Sequence, residues 1–398
     1  MHRPKTADFD SYPLQSELVD AELGEHWITV RWGDGYSARY HHVWLRDNCP
    51  CDGCVQDGTR EQTFELLAVP VDIHAVSAVA NRAALTVVWS GTDQHQSDYD
   101  AGWLRRHAYS ESVPADELPE TVLWGAELGM PPTFSGPDVL TDEDALYDWA
   151  CGLASHGCSL LRNLSTGTDV GDIARRLGPI RDTNFGLLWD VVADPDPITN
   201  ANTALSLPPH VDLPTREYQP GIQLLHCLVN EVEGGESVLV DGFRLAAEVR
   251  EQRPDYYELL CTIPWNWSNR SKTSDYRYVA PVLGTDRSGA LREIRLGNWL
   301  RAPLTSAAFD QVEQGYAAYR YIFALSFEDR FALRFRLCPG DCMVFDNRRV
   351  LHARTAFSTG AGHRRLRGCY TERDELYSRI RMLQRAKRAA AIAASRNS

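Results

Sequence analysis

Two side chains that can bind a metal ion stand two residues apart in the segment LPPHVDLPTREYQPGIQLLHC. They are His210 and Asp212. In an extended strand, residues i and i+2 point to the same face, so this spacing predicts that the imidazole and the carboxylate converge. Two ligands hold a metal weakly, and His352 in CPGDCMVFDNRRVLHARTAF is the best candidate for a third. Two histidines and one carboxylate on one face of an octahedron leave three positions open, which is typical of non-haem Fe(II) oxygenases.

A His-x-Asp triplet also occurs by chance, but a nearby arginine favours the iron hypothesis. In the run HRRLRGCY, Arg364, Leu366, Gly368 and Tyr370 share one face if the segment is a strand. A guanidinium offers a planar fork for a carboxylate. The co-substrate 2-oxoglutarate chelates iron at one end and carries a carboxylate at the other. We therefore expect Fe(II) and 2-oxoglutarate, with the distal carboxylate paired to Arg364, or to Arg365 if the register shifts.

Four runs of the chain resemble the γ-butyrobetaine and trimethyllysine hydroxylases: HVDLPTREYQPGIQLLHCL, GGESVLVDGF, FDNRRVLHAR and RRLRGCY. The resemblance covers nearly the whole chain. It implies a 2-oxoglutarate-dependent non-haem iron dioxygenase of the taurine dioxygenase-like superfamily. Such an enzyme hydroxylates an aliphatic carbon of a small polar substrate while 2-oxoglutarate is decarboxylated to succinate. In this interpretation His210, Asp212 and His352 are the catalytic, iron-binding residues, and dioxygen is the second co-substrate.

A second set of metal ligands is indicated by the cysteines of WLRDNCPCDGC. Cys49, Cys51 and Cys54 could place three thiolates around one zinc ion, with His95 as the natural fourth ligand of a closed structural site. The alternative is three free thiols. The resemblance implies zinc, because the hydroxylases carry an N-terminal zinc module with the same spacing and a D-x-H-x-S segment, here DQHQS.

The distribution of β-rich runs predicts the domain organisation. Residues 15–110 alternate runs such as HWITVRW and LTVVWS with turns, which predicts a small antiparallel domain. Short β runs from 181 to 370 are compatible with a double-stranded β-helix, or jelly roll, whose mouth holds the metal. The predicted fold is mainly β with flanking helices: an N-terminal zinc-binding β domain at 1–125, a double-stranded β-helix dioxygenase domain at 126–385, and a flexible tail at 386–398.

Helical periodicity predicts four helices beside the jelly roll. They are TDEDALYDWACGLASHG, capped by Thr141; TDVGDIARRLGPI, ended by Gly178 and Pro179; GFRLAAEVREQRPDYYELL; and TSAAFDQVEQGYAAYRYIFALS. The apolar stripe of the last one is long enough to brace a sheet or a partner subunit. The segment CSLLRNL predicts a buried strand, and the basic, alanine-rich segment after Tyr377 predicts a surface helix that frays into the tail.

The composition of the chain disfavours several classes of partner. The chain has 398 residues, 43% of them hydrophobic, and a formal net charge of −13, which disfavours nucleic acids and anionic membranes as general partners. It contains no run of eighteen apolar residues, and MHRPKTADFDSYPL lacks the apolar core of a secretory signal. We expect a cytoplasmic homodimer that acts on a small molecule, without nucleic-acid or membrane partners.

The resemblance also implies where the substrate binds. The related hydroxylases enclose a trimethylammonium group in an aromatic cage, because a quaternary ammonium donates no normal hydrogen bond and is held by π faces. Phe185, Trp189 and Tyr370 fall at matching positions of that cage. Asn298, in RLGNWLRAPL, falls in a region that contacts substrate in the relatives.

Two positions of the cage depart from the family pattern. Leu213 follows the metal aspartate where the butyrobetaine hydroxylases have an aromatic residue, and Asn202 replaces the aromatic residue eight positions before the first histidine. Each lost face removes on the order of 0.5–2 kcal/mol of cation binding. The sequence thus predicts an amine- or amino-acid-derived substrate that donates hydrogen bonds, and γ-butyrobetaine as a poor substrate.

Three alternatives compete with this hypothesis. One is a γ-butyrobetaine-type trimethylammonium hydroxylase. Another is a non-catalytic jelly roll that retains a metal for ligand capture, which predicts metal binding without succinate formation. The third is a metal-dependent isomerase or hydrolase on the same fold. The last has no evident need for Arg364, so its activity should survive replacement of that residue.

Overall fold

The chain forms two compact units in a computed structural model that describes residues 3–91, 94–111, 118–193, 202–271, 274–358 and 362–397. One unit comprises Met1–Glu117 with Gln384–Ser398, and the other comprises Leu118–Leu383. The sequence-based domain limits at residues 125 and 385 stay a prediction. The proline- and glycine-rich composition of residues 112–137 predicts a linker. Residues 112–117 of it lie outside the described residues, and its later part contains a short strand, Thr133–Ser135.

The N-terminal unit contains two antiparallel sheets of three strands each, with orders β1-β2-β3 and β4-β5-β6. Its strands are β1 (Leu18–Leu23), β2 (Trp27–Trp32), β3 (Ser37–His41), β4 (Ala75–Asn81), β5 (Ala84–Trp89) and β6 (Gln96–Asp100), and its helices are α1 (His42–Asp47) and α2 (Ala101–Arg106). In β2 and β5 every second residue is buried, the period expected of a half-buried strand. The predicted small antiparallel β region is therefore confirmed.

The larger unit is built on two sheets of six and four strands. Its strands are β7 (Thr133–Ser135), β8 (Cys158–Arg162), β9 (Trp189–Val192), β10 (Leu207–His210), β11 (Ile222–Asn230), β12 (Ser237–Asp241), β13 (Trp265–Arg270), β14 (Asp275–Ala280), β15 (Leu283–Thr285), β16 (Leu291–Ile294), β17 (Ala332–Phe335), β18 (Cys342–Asp346), β19 (Val350–Arg354) and β20 (Arg364–Thr371). The six-stranded sheet has the order β7-β8-β18-β11-β20-β9, and the four-stranded sheet has the order β10-β19-β12-β17. Strands β13–β14 and β15–β16 form separate hairpins.

The two sheets face each other across an apolar interior, as a double-stranded β-helix requires. Leu225 of β11, Phe345 of β18 and Leu366 of β20 meet Leu239 of β12 and Phe335 of β17 in one buried cluster. Neighbouring strands are thus distant in sequence: β11 pairs with both β18 and β20. The predicted jelly-roll fold is confirmed, and its mouth is where β10, β19 and β20 present side chains inward.

Helices cover the outer faces of both sheets. They are α3 (Gly136–Thr141), α4 (Glu143–His156), α5 (Val170–Arg175), α6 (Gly242–Gln252), α7 (Pro254–Thr262), α8 (Val312–Leu325) and α9 (Arg373–Asn397). Helices α4 and α5 pack on the six-stranded sheet, and α6, α7 and α8 pack beside the four-stranded sheet. The apolar stripe of α8, through Ala318, Tyr319 and Ile322, is buried within its own unit. It therefore braces the jelly roll.

Several limits of the predicted helices differ from those in the structure. The segment predicted as one helix from Gly242 to Leu260 is divided into α6 and α7 at Pro254. Proline has no N–H for the helical hydrogen bond and clashes with the preceding turn, so it begins a new helix. Helix α4 is capped by Asp142, whose side chain accepts from Ala145 N at 2.7 Å, and not by Thr141. Helix α5 already ends at Arg175, before Gly178.

The C-terminal segment is helical as far as Asn397, including most of the segment 386–398 that the sequence predicts to be a flexible tail. Within the N-terminal unit, Arg388 of this helix donates to Asp10 Oδ1 at 2.7 Å. None of the helices in the described part of the chain combines the length and apolar content needed to cross a membrane.

Candidate active site

The three predicted iron ligands lie together at the mouth of the jelly roll. His210 ends β10 and is in register with His352 of the antiparallel neighbour β19. Asp212 Oδ1 lies 3.4 Å from His210 Nε2 and 3.8 Å from His352 Nε2. All three donor atoms fall within 4.8 Å of one another. Donors about 2 Å from a shared ion would have separations of this order, so the set fits one metal ion.

The hydrogen bonds and burial of the two imidazoles favour metal binding. His210 Nδ1 donates to the carbonyl of Pro208 at 2.9 Å, which leaves the Nε2 lone pair directed at Asp212. Burial, and then the neighbouring His210, lower the pKa of His352 to about 3. Burial alone would raise the pKa of Asp212, but His352, His210 and the hydroxyl of Tyr370 together hold it below its usual range. Neutral imidazoles and an ionised carboxylate are the forms that bind metal.

Asp212 is placed by tertiary contacts and not by the pleat of a strand. Strand β10 ends at His210, so the predicted extended segment through Asp212 is interrupted. Asn347, which is completely buried, accepts from Asp212 N at 2.7 Å and donates to Asp212 O at 2.9 Å. The chain then turns at Leu213, whose φ of 52° is unusual for a residue with a branched side chain. These two hydrogen bonds from Asn347 hold the backbone of Asp212 in the position from which its carboxylate faces both histidines.

Tyr370 contacts the metal-ligand set directly. Its hydroxyl donates to Asp212 Oδ2 at 2.7 Å, leaving Oδ1 directed at the histidines. Its ring packs against Trp189 with the centroids 4.2 Å apart, and Phe185 lies 6.2 Å from Trp189. The residue that the resemblance assigned to the substrate cage is therefore also an orienting partner of the carboxylate.

A cavity of about 680 Å³ opens at the triad. Five of the six predicted substrate residues line it, namely Phe185, Trp189, Asn202, Leu213 and Tyr370, together with the triad and Arg364. Asn298 is not among the lining residues. It lies exposed in the turn Asn298–Leu300, where its Oδ1 accepts from Arg301 Nη2 at 2.6 Å.

Two neighbouring arginines of β20 point in opposite directions. Arg364 is 6% exposed and lines the cavity, and its Nε has no hydrogen-bond acceptor among the described residues. Burial lowers the pKa of Arg364 from its ordinary value, as expected for a cation without a buried counter-ion. Arg365 is absent from the cavity lining and donates to Asp190 Oδ2 at 2.7 Å. Strand alternation thus leaves Arg364 as the candidate for a carboxylate in the cavity.

Several cavity residues were missed by sequence reasoning. The ring of Trp299 lies 4.6 Å from that of His210 and adds an aromatic face at the position next to the predicted Asn298. Ser237, Gln223 and Arg354 also line the cavity. Ser237 begins β12 within the run GGESVLVDGF. Arg354 follows His352 by two residues, so the two-residue period of a strand would have predicted that Arg354 faces the cavity together with His352.

The Cys3His cluster in the N-terminal unit is also assembled. His95 Nε2 lies 3.3 Å from Cys49 Sγ and 3.7 Å from the sulfurs of both Cys51 and Cys54. Burial raises the pKa of the Cys49 thiol to about 12, although the Ser97 hydroxyl donates to that sulfur at 2.9 Å. A thiolate in this place needs a compensating cation, so the cluster is compatible with structural zinc.

A jelly roll with a His-Asp-His set and a buried arginine at its mouth defines a 2-oxoglutarate-dependent non-haem iron dioxygenase. Residues 114–370 match the model of the taurine catabolism dioxygenase TauD, TfdA family, and residues 20–105 match the gamma-butyrobetaine hydroxylase-like N-terminal model. The chain belongs to the TauD, TfdA family. Its enzyme class and its cofactors, iron and 2-oxoglutarate, are thereby confirmed, and a small-molecule substrate and dioxygen follow from that class.

Individual relatives match over almost the full chain. The chain is 44% identical to a gamma-butyrobetaine dioxygenase of Pseudomonas sp. (strain AK-1), over 95% of this chain and 99% of the relative. It is 30% identical to the human gamma-butyrobetaine dioxygenase, over 92% and 97% of the two chains. It is also 30% identical to the mitochondrial trimethyllysine dioxygenase of Gallus gallus, over 90% and 86%. These similarities confirm the family predicted from the motifs.

Proposed function

We propose that this dioxygenase hydroxylates an aliphatic carbon of a small quaternary-ammonium carboxylate, with γ-butyrobetaine as the test compound. The overall reaction converts R–H, dioxygen and 2-oxoglutarate to R–OH, succinate and carbon dioxide. The proposal rests on the aromatic wall of the cavity, whose rings face a space without an available carboxylate among the described lining residues. The 44% identical relative is named for this substrate, which agrees with that chemistry.

The roles of the triad are part of this proposal. His210, Asp212 and His352 would hold the iron, which when bound supplies open positions for 2-oxoglutarate and dioxygen. Tyr370 and Asn347 fix the orientation of the aspartate through its free oxygen and its backbone. The Pro208 carbonyl fixes the tautomer of His210. The remaining walls exclude water from the oxidising centre and hold the target carbon close to it.

The co-substrate would lie along β20, with its distal carboxylate at Arg364. Burying a guanidinium without a counter-ion is unfavourable, and a carboxylate in the cavity would remove that cost. Ser237, which is 4% exposed and also lines the cavity, offers a hydroxyl to the same carboxylate. Arg365 is already paired with Asp190 and is absent from the cavity lining, which supports Arg364 for this role.

Replacing Arg364 by alanine is expected to weaken 2-oxoglutarate binding by about 2–5 kcal/mol, the usual cost of removing one partner of a buried charge pair. Calorimetric titration of the metal-loaded protein with 2-oxoglutarate measures this. Arg365→Ala is the matched control, since Arg365 lies one residue away and faces Asp190. The affinity of this variant for 2-oxoglutarate should stay within a factor of about two of that of the unchanged protein. Equal losses in the two variants would contradict the assignment.

The charges of the cavity support a methylated ammonium over a protonated amine. The described lining contains two carboxylates, Asp190 and Asp212. Asp190 accepts from Arg365 and Arg367, and Asp212 belongs to the triad. A primary ammonium would lose hydration without gaining a counter-ion, whereas a trimethylammonium needs only π faces. Arg270, at the end of β13, lines the same cavity and offers a cation to the substrate carboxylate.

Succinate formation stimulated by γ-butyrobetaine is expected to exceed that stimulated by 4-aminobutyrate at least about tenfold in kcat/KM, since each aromatic face contributes roughly 0.5–2 kcal/mol. Phe185→Leu removes one ring while keeping an apolar side chain, so it should reduce this preference several-fold. The sequence-based prediction drawn from Asn202 and Leu213 is the opposite, namely that γ-butyrobetaine is a poor substrate and that a hydrogen-bonding amine is preferred. Equal or better coupled turnover of 4-aminobutyrate would establish that outcome and overturn the proposed substrate.

The proposal also includes a cytoplasmic location and zinc binding by Cys49, Cys51, Cys54 and His95. The homodimer expected from the sequence stays a prediction. The absence of disulfides among the ten cysteines, all of which are described, supports a reducing compartment. The homodimer lacks support from α8, because the stripe that could have bound a partner is buried in its own unit. Sedimentation of the purified protein would decide its oligomeric state.

A further inference from the structure

We propose that Gln223 contacts 2-oxoglutarate at its metal-chelating end, by donating a side-chain amide N–H to the 1-carboxylate. This inference rests on the proposed binding of 2-oxoglutarate between the triad and Arg364. It adds a second polar contact for the co-substrate, at the opposite end from the arginine. It does not depend on which compound is hydroxylated.

Gln223 is a buried amide in an otherwise apolar part of the cavity wall. The residue is 2% exposed and lines the cavity, and its Oε1 has no hydrogen-bond donor among the described residues. The nearest lining residues along β11 and β18, Leu225 and Met343, are apolar. Leaving a buried amide group unsatisfied costs roughly 1–3 kcal/mol. Gln219, outside the cavity lining, has an unpartnered amide oxygen as well, so what distinguishes Gln223 is that its amide lines the cavity.

Strand register places Gln223 beside the metal ligands. In the six-stranded sheet, Gln223 pairs with Phe345 of β18 on one side and with Tyr370 of β20 on the other. The Phe345 ring lies 4.8 Å from the His352 ring, and the Tyr370 hydroxyl donates to Asp212. Directly opposed residues on one face of a sheet have Cβ atoms about 4.5–5.5 Å apart. The amide therefore lies between the two side chains that touch the triad.

The same register separates Gln223 from the arginine end of the site. Arg364 pairs with Asn230 near the far end of β11, while Gln223 is near its start. A dicarboxylate bound between the triad and Arg364 has one carboxylate at each end. A neutral amide suits the metal end, because a cation there would repel the metal ion, whereas an amide donates a hydrogen bond without adding charge. Because a carboxylate only accepts, the Nε2 group of Gln223 must face it, with Oε1 turned away from the ligand.

The test compares three variants by calorimetric titration with 2-oxoglutarate on the Mn(II)-loaded protein, which needs no turnover. Gln223→Met keeps the length of the side chain and removes the donor, and it should weaken binding about tenfold, as for a lost hydrogen bond to a charged group. Gln223→Glu places a like charge beside the carboxylate and should weaken binding further, by about a hundredfold. Gln219→Met is the control, because Gln219 is equally buried but outside the cavity lining, and it should bind within about twofold of the unchanged protein.

The outcomes separate this inference from the proposed substrate. If Gln223→Met binds 2-oxoglutarate with wild-type affinity, the proposed contact is overturned. If that variant also has a raised KM for γ-butyrobetaine, the amide contacts the substrate and not the co-substrate. A comparable loss in Gln219→Met also overturns it, since the effect is then structural. If Gln223→Met fails to fold, the Glu variant decides by the same titration. Failure to hydroxylate γ-butyrobetaine with normal 2-oxoglutarate binding refutes the substrate and leaves Gln223 standing.

Discussion

Replacing any one of His210, Asp212 and His352 by alanine is expected to abolish succinate formation while the protein stays folded. The three donor atoms lie within 4.8 Å of one another, so the loss of one leaves two ligands, too few to hold the ion in a fixed geometry. The loss of activity should exceed the roughly 10–100-fold that accompanies removal of a hydrogen-bond partner of a ligand. An open catalytic site also contributes little to folding, so the melting temperature should change by only a few degrees.

The measurement combines iron content, 2-oxoglutarate turnover and a thermal melt. Asp212→Asn is the sharpest variant, because it keeps an oxygen that can accept from Tyr370 while removing the negative charge that binds metal. His156→Ala and Asp310→Ala lie outside the triad and the cavity lining and should retain activity. Near-normal turnover in any one of the triad variants would refute the assignment of that residue as a ligand.

Removing one thiolate from the Cys3His cluster is expected to unfold or aggregate the N-terminal unit. Structural zinc contributes apparent free energies of about 10–16 kcal/mol in small zinc domains, comparable to or larger than the roughly 5–15 kcal/mol by which a domain is stable. The N-terminal unit would have to fold around buried Cys49 and Cys54 thiols that have lost their ion. Cys49→Ser, Cys51→Ser and Cys54→Ser should each lower the zinc content and the unfolding midpoint together.

Cys338→Ser is the matched control for this experiment. Cys338 is an exposed cysteine of the other unit and belongs to neither ligand cluster, so its replacement should leave zinc content and stability unchanged. Elemental analysis and thiol titration of natively purified protein provide the readout. Protein that folds normally with less than a stoichiometric amount of zinc and ten titratable thiols would contradict the proposed site.

Local patterns in the sequence were sufficient to predict which residue types bind metal and co-substrate, and to predict the fold class. A period of two along β20 predicted which of its side chains face the cavity, including Arg364 and Tyr370. The spacing of the cysteines predicted a cluster of three thiols, and in the structure these thiols lie beside His95. Helix ends were predicted less accurately, and the break at Pro254 shows that one proline is enough to divide an otherwise periodic helical segment. These features depend on neighbours within a few residues, which is the range in which periodicity and backbone chemistry act.

Only the tertiary structure decided how the site is held. Asp212 is fixed by Asn347 in the turn between β18 and β19, the ring of Trp299 packs against that of His210, and Asn298 is left exposed beside it. Gln223 comes next to the metal ligands because β11 pairs with two strands that lie far along the chain. The sequence determined which ligands and cofactors this protein can use, since those follow from side-chain chemistry. The partners of each ligand depend on non-local strand pairing, which local spacing does not specify.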